Sequence, residues 1–133
     1  DRDIERLMNA TIDASRFLLE KNGEFYPIAL AIDKAGKIIS FAGESSEQKP
    51  KSADIIKKLE NLLRSYKKSL STIAISMNGV VSNPKTGKKE DAIVIDLEHS
   101  SGDTSTVFLP YILEKGKYNY AELFVQQRKP TIF

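Results

Sequence analysis

The residues whose types and spacing could do chemistry crowd into one stretch, Asp96-Leu97-Glu98-His99-Ser100-Ser101. His99 is the only histidine of the chain, and histidine titrates near neutral pH without help from its surroundings. Asp96 and Glu98 lie two residues apart, which on a strand puts both carboxylates on one face, about 7 Å from each other. That separation falls in the range used by the acid and base of an inverting glycosidase. Period-two geometry also works against catalysis, because His99 then points away from both carboxylates and has neither to orient it. Ser100 and Ser101 stand outside any GxSxG elbow. The stretch therefore predicts no catalytic residue. His99 reads as a strand-end histidine satisfied by water or a carbonyl, and the carboxylates read as the solvent face of a half-exposed strand.

Other chemistry finds fewer candidates. One histidine and no cysteine leave only carboxylates as metal ligands, and neither an HExxH pair nor a calcium-loop pattern occurs. No metal and no cofactor are expected. Asn83–Lys89 resembles a phosphate loop only superficially: it lacks the GxxxxGK[ST] spacing and precedes a strand. Lys85, Lys88 and Lys89 read instead as a charged hairpin tip that discourages edge pairing.

The elements that position these residues follow from periodicity. Ala92–His99 and Thr104–Tyr111 are two β-rich runs joined by Ser100-Ser101-Gly102-Asp103, the clearest hairpin signal in the chain. On the first run Ile93, Ile95, Leu97 and His99 share one face; Ala92, Val94, Asp96 and Glu98 share the other. Upstream, Asp1–Asn22 carries Ile4, Leu7, Met8, Thr11, Ile12, Ser15, Leu18 and Leu19 at helical spacing, with Asn22-Gly23 as its stop. Ile28–Gly43 predicts a hairpin around Asp33-Lys34-Ala35-Gly36. Its alternating Ala29 and Ala31 suggest close approach of a helix. Glu44–Lys51 reads as a loop. A second helix is expected from about Ala53 to Ser69, with Ser52 as N-cap and Ile55, Ile56, Leu59, Leu62, Leu63 and Tyr66 on its buried stripe. Ser71–Ser82 is a strand in which Gly79 suggests a bulge. Tyr120–Gln126 fits either a strand or a short helix.

The chain is long enough for one domain with a real core. Its 41% hydrophobic and 29% charged residues are ordinary for a globular protein. A net charge of +2 argues against nucleic acid as a partner. The longest apolar run, Ile28–Ile32, falls far short of the ~20 residues that span a bilayer. Absence of cysteine fits a reducing compartment, so the cytoplasm is the expected location. A start at Asp1 rather than methionine leaves removal of a leading segment open.

These elements predict an α+β domain over residues 1–133. It has one antiparallel sheet of five to six strands and two helices, in the order α-β-β-α-β-β-β with room for one more strand. Both helices are expected on one face, with Leu59, Leu62 and Leu63 against Ile75 and Ile95. The order resembles profilin-like and roadblock-like folds, which serve as binding or dimerisation platforms. Phe25-Tyr26-Pro27, Asp91-Ala92-Ile93, Leu97-Glu98-His99 and Val107-Phe108-Leu109-Pro110-Tyr111 together resemble a family of small uncharacterised bacterial proteins. That resemblance covers most of the chain from Phe25 onward and implies a bacterial origin, with no activity attached.

The leading expectation is a non-enzymatic domain that binds a protein, a second copy of itself included; an immunity-type blocker of a toxin is one form of it. The alternative is a small-molecule binder or enzyme with a pocket at the sheet end. Tyr26-Pro27 opens one strand and Pro110-Tyr111 closes another, where a proline costs no ladder bond. Tyr26 and Tyr111 are therefore the expected recognition residues. His99 is a weaker member, opposite the start of the Thr104–Tyr111 strand.

Overall fold

The computed structural model describes residues 2–42 and 51–133. The expected loop at Glu44–Lys51 lies outside the described residues except for Lys51. The elements run α1 (Arg2–Asn22), β1 (Ile28–Asp33), β2 (Ile38–Ala42), α2 (Ser52–Tyr66) with a 3₁₀ turn at Lys67–Ser69, β3 (Leu70–Ser82), β4 (Lys89–His99), β5 (Thr104–Glu114), β6 (Lys117–Tyr120) and β7 (Phe124–Gln126). All strands join one antiparallel sheet in the order β2-β1-β3-β4-β5-β6, with β7 also pairing β5. This is the expected α+β class. The ambiguous stretch near Tyr120 resolves into the short strands β6 and β7, both on the same side of β5.

The helices, however, cover opposite faces. Leu7 and Leu19 of α1 pack with Leu30, Ile32, Ile93, Ile95, Leu97, Val107 and Leu109. Ile55, Leu59 and Leu63 of α2 pack with Ala29, Ala31, Ile73 and Ile75. Ile75 pairs with Asp96, so the neighbouring Ile95 must point to the other side of the sheet. Ile75 and Ile95 therefore serve different helices. Leu62 is only half-buried, while Leu59 and Leu63 have no exposed surface.

Each helix is seated by residues four apart. On α1 these are Leu7, Thr11, Ser15 and Leu19, all buried. The two middle positions are small, which lets the helix lie close to β3. There Ser15 Oγ donates to the Thr11 carbonyl at 2.7 Å and meets Ser76 Oγ at 2.7 Å, so Ser76 is the donor of that second bond. Ser15→Leu would force two extra heavy atoms into this contact and strand the Ser76 hydroxyl. A loss of about 1–3 kcal/mol is expected by urea denaturation, and an unchanged midpoint would refute the close packing. On α2 the seats are Ile55, Leu59 and Leu63, lying over the alanine face of β1 as its small side chains suggested.

Two local expectations need correction. Lys51, not Ser52, is the N-cap of α2, and its side chain makes no capping bond. Gly79 makes no bulge: the β3–β4 register runs unbroken through Gly79 opposite Ala92. Glycine is accommodated there because a Cβ would come within 3.2 Å of Val94 Cγ2. Gly102 does take the positive φ, 108°, that the β4–β5 turn requires.

Candidate functional site

Tyr26 and Tyr111 lie at the same end of the sheet. Ile28 at the start of β1 pairs with Ser76, and Tyr111 pairs with Asp91, whose other neighbour is Val80. Asn78 stands between the two tyrosines. Tyr111 donates its hydroxyl to Asn78 Oδ1 at 2.6 Å. Asn78 also lines a groove of about 480 Å³ with Leu18, Asn22, Phe25, Tyr26 and Ser52. The two rings differ in setting. Tyr26 is 53% exposed, whereas Tyr111 packs on the α1 core beside the rings of Tyr118 and Tyr120. Burial, joined by the nearby Asp91 carboxylate, pushes the Tyr111 phenol up to about 12. It therefore remains a neutral donor to Asn78. Arg16 of α1 closes the cluster, its guanidinium 4.3 Å above the Tyr120 ring.

His99 is at the other end. Asp91, opposite Tyr111, and His99 are eight residues apart on β4, about 27 Å at the rise of an antiparallel strand. Its Nδ1 accepts from the Ser101 N–H at 3.1 Å and lies 2.8 Å from Ser101 Oγ. The ring thus helps close the β4–β5 turn, with Nδ1 as the unprotonated nitrogen. It does not meet Tyr26 or Tyr111.

The densest polar constellation is one that strand periodicity alone misplaces. Asp96 and Glu98 do share a face, but this face is covered, and Glu98 has no exposed surface. Its cover is the segment after β7. Glu98 Oε2 accepts from Arg128 Nη1 at 2.6 Å, from the Thr131 N–H at 2.8 Å and from Thr131 Oγ1 at 2.9 Å. Its Oε1 accepts from the Ile132 and Phe133 N–H groups at 3.0 and 3.2 Å. Three successive backbone N–H groups thus converge on one anion, an arrangement suited to negative charge. Asp96 accepts from Thr106 Oγ1 at 2.7 Å and stands 3.5 Å from Arg128 Nε. The spacing that matched a glycosidase pair is therefore filled by the chain itself, and Glu98 meets no solvent.

Burial alone would raise the Glu98 carboxyl, but Arg128 and the N–H groups of Thr131, Ile132 and Phe133 outweigh it and hold the group below its ordinary 4.5. The linkage sign follows. A group whose folded pKa is depressed contributes stability that is complete above the unfolded value and is lost as pH falls through the folded one. Stability should thus drop by a one-proton step below about pH 4.5. Urea midpoints from pH 7 to pH 3 check this: Glu98→Gln should show a shallower acid slope than wild type. Equal slopes would mean that Glu98 titrates normally.

Among the described residues no three carboxylate or imidazole groups converge as a metal would require, and no helix is long and apolar enough to cross a membrane. No family model, curated protein or solved structure matches the chain.

Proposed function

We propose that this chain is a non-enzymatic domain that binds another protein through the sheet end formed by Tyr26, Asn78, Val80 and Tyr111. The observation that carries this reading is the meeting of both tyrosines at Asn78, one by lining its groove and one by bonding its amide. Val80, two residues along on the same face as Asn78, is 64% exposed beside the 53% exposed Tyr26. Tyrosine combines apolar area with a polar tip, which suits a surface that is wet when free and covered when bound. Tyr111 both seals the core and holds Asn78, so Tyr26 and Val80 are the residues free to contact a partner.

Tyr26→Ala and Val80→Ser remove exposed side chains and should leave stability within about 0.5 kcal/mol of wild type. Stoichiometric recovery of one identified polypeptide by wild type, lost in both variants, is the expected capture result. Equal recovery by wild type and both variants defeats the proposal. Sedimentation velocity reads whether the bound polypeptide is a second copy. The groove itself supports a second reading, a small molecule beneath Tyr26. Thermal shifts across a metabolite panel, abolished by Tyr26→Ala, would favour that reading.

A further inference from the structure

The cleft between α2 and the α2-facing side of β4 differs from the rest of the interior in how it is filled. Helix α2 rests mainly on β1 and β3, whereas α1 spans β1, β3 and β4. Asp96 and Glu98 of β4 are left for Arg128–Phe133 to cover, and these residues form neither helix nor strand. Among the described residues, the main chain of this segment makes no hydrogen bond to another main chain. Side chains hold it. Glu98 takes its N–H groups, Arg64 Nε donates to the Thr131 carbonyl at 2.9 Å, and Thr104 Oγ1 donates to the Arg128 carbonyl. Ile132 is buried against the α2 side of the core, with Phe133 beside it. This is how a domain reads a bound peptide. A negative floor selects a cation and free N–H groups, and an apolar wall selects the side chains that follow.

We propose that this cleft is a peptide-binding site, occupied here by the chain's own Arg128–Phe133. Its ligand in trans is an extended segment of a partner protein that presents an arginine, then a hydroxyl residue, then two large apolar residues. Charge complementarity argues for that chemistry: Arg128 lies between two carboxylates, Asp96 and Glu98, so an acidic residue at its position would face like charge. The proposal does not rest on the Tyr26 surface, which lies at the opposite end of the sheet. An attached segment competes at an effective concentration on the order of millimolar. The resident segment therefore sets a threshold that a partner has to exceed.

The probe is an acetylated, amidated Arg-Lys-Pro-Thr-Ile-Phe peptide carrying a fluorophore, titrated into the full chain. In Ile132→Asp the resident segment would bury a carboxylate in the apolar cluster of Ile55, Leu59 and Ile73 and is expelled. Saturable binding to this variant is expected, at least tenfold tighter than to wild type. Replacing the peptide's arginine by glutamate should weaken binding at least tenfold. Absence of saturable binding to an Ile132→Asp variant with a wild-type far-UV spectrum overturns the proposal, as does indifference to the arginine. Should Ile132→Asp fail to fold, hydrogen exchange on wild type decides. Protection of the Thr131, Ile132 and Phe133 amides at least tenfold below that of Ile73 and Ile95 supports a detachable segment. Equal protection makes the segment an integral part of the core and overturns the site. A wild-type dimer lost in Ile132→Asp would make a second copy the donor, overturning the assignment to a partner protein.

Discussion

Glu98→Ala is expected to destabilise the protein by about 3–5 kcal/mol, the range for removing one partner of a buried ion pair. Arg128 would keep its charge with its side chain only 16% exposed, and the N–H groups of Thr131, Ile132 and Phe133 would lose their acceptor together. Losing an acceptor costs more than the net worth of the bond, because the stranded donors bear their full desolvation cost. Glu98 keeps the Thr131 hydroxyl and the Thr131, Ile132 and Phe133 N–H groups when Arg128 is lost, so Arg128→Met should cost less than Glu98→Ala. Urea denaturation of both single variants and the double gives the coupling directly. A strongly sub-additive double variant is expected. A Glu98→Ala loss below about 1 kcal/mol would mean that water enters readily and that the covering segment contributes little to the fold.

Leu63→Ala should cost about 2–5 kcal/mol, as should Leu59→Ala, since both side chains have no exposed surface beneath α2. Helix α2 touches the sheet through one stripe of residues four apart, so each leucine carries a large share of its attachment. Leu62, half-buried beside that stripe, should cost about 1 kcal/mol or less on the same substitution. The contrast between adjacent leucines is the informative measurement. Equal losses at Leu62 and Leu63 would put the buried line of α2 midway between them and contradict the packing described, since adjacent helical residues are about 100° apart.

Much of this architecture was legible in the order of residues because local geometry decides it. The 3.6-residue spacing of Leu7, Thr11, Ser15 and Leu19 marks α1 and its buried stripe, and the same spacing of Ile55, Leu59 and Leu63 marks α2. Period two separates Ile93, Ile95 and Leu97 from Asp96 and Glu98 whatever surrounds them. Gly102 marks the β4–β5 turn because only a residue without Cβ enters its backbone conformation freely. The expectation of both helices on one face overlooks a signal in the chain: Ile28–Ile32 is continuously apolar, the pattern of a strand covered on both sides.

The role of Glu98 belongs to the tertiary structure. A period-two pattern assigns a face and says nothing of what lies on it. The cover over this carboxylate comes from Arg128, Thr131, Ile132 and Phe133, more than 29 positions downstream in every case. No local propensity links a strand carboxylate to the N–H groups of a distant irregular segment, because any exposed amide is an equally good donor until folding excludes water. The same holds for Tyr26 and Tyr111, whose meeting at Asn78 depends on β1 and β4 both pairing with β3. Residue types along the chain determined which groups were able to bind charge. Strand order and the path of the last described segment decided which of them were buried, and with what partner.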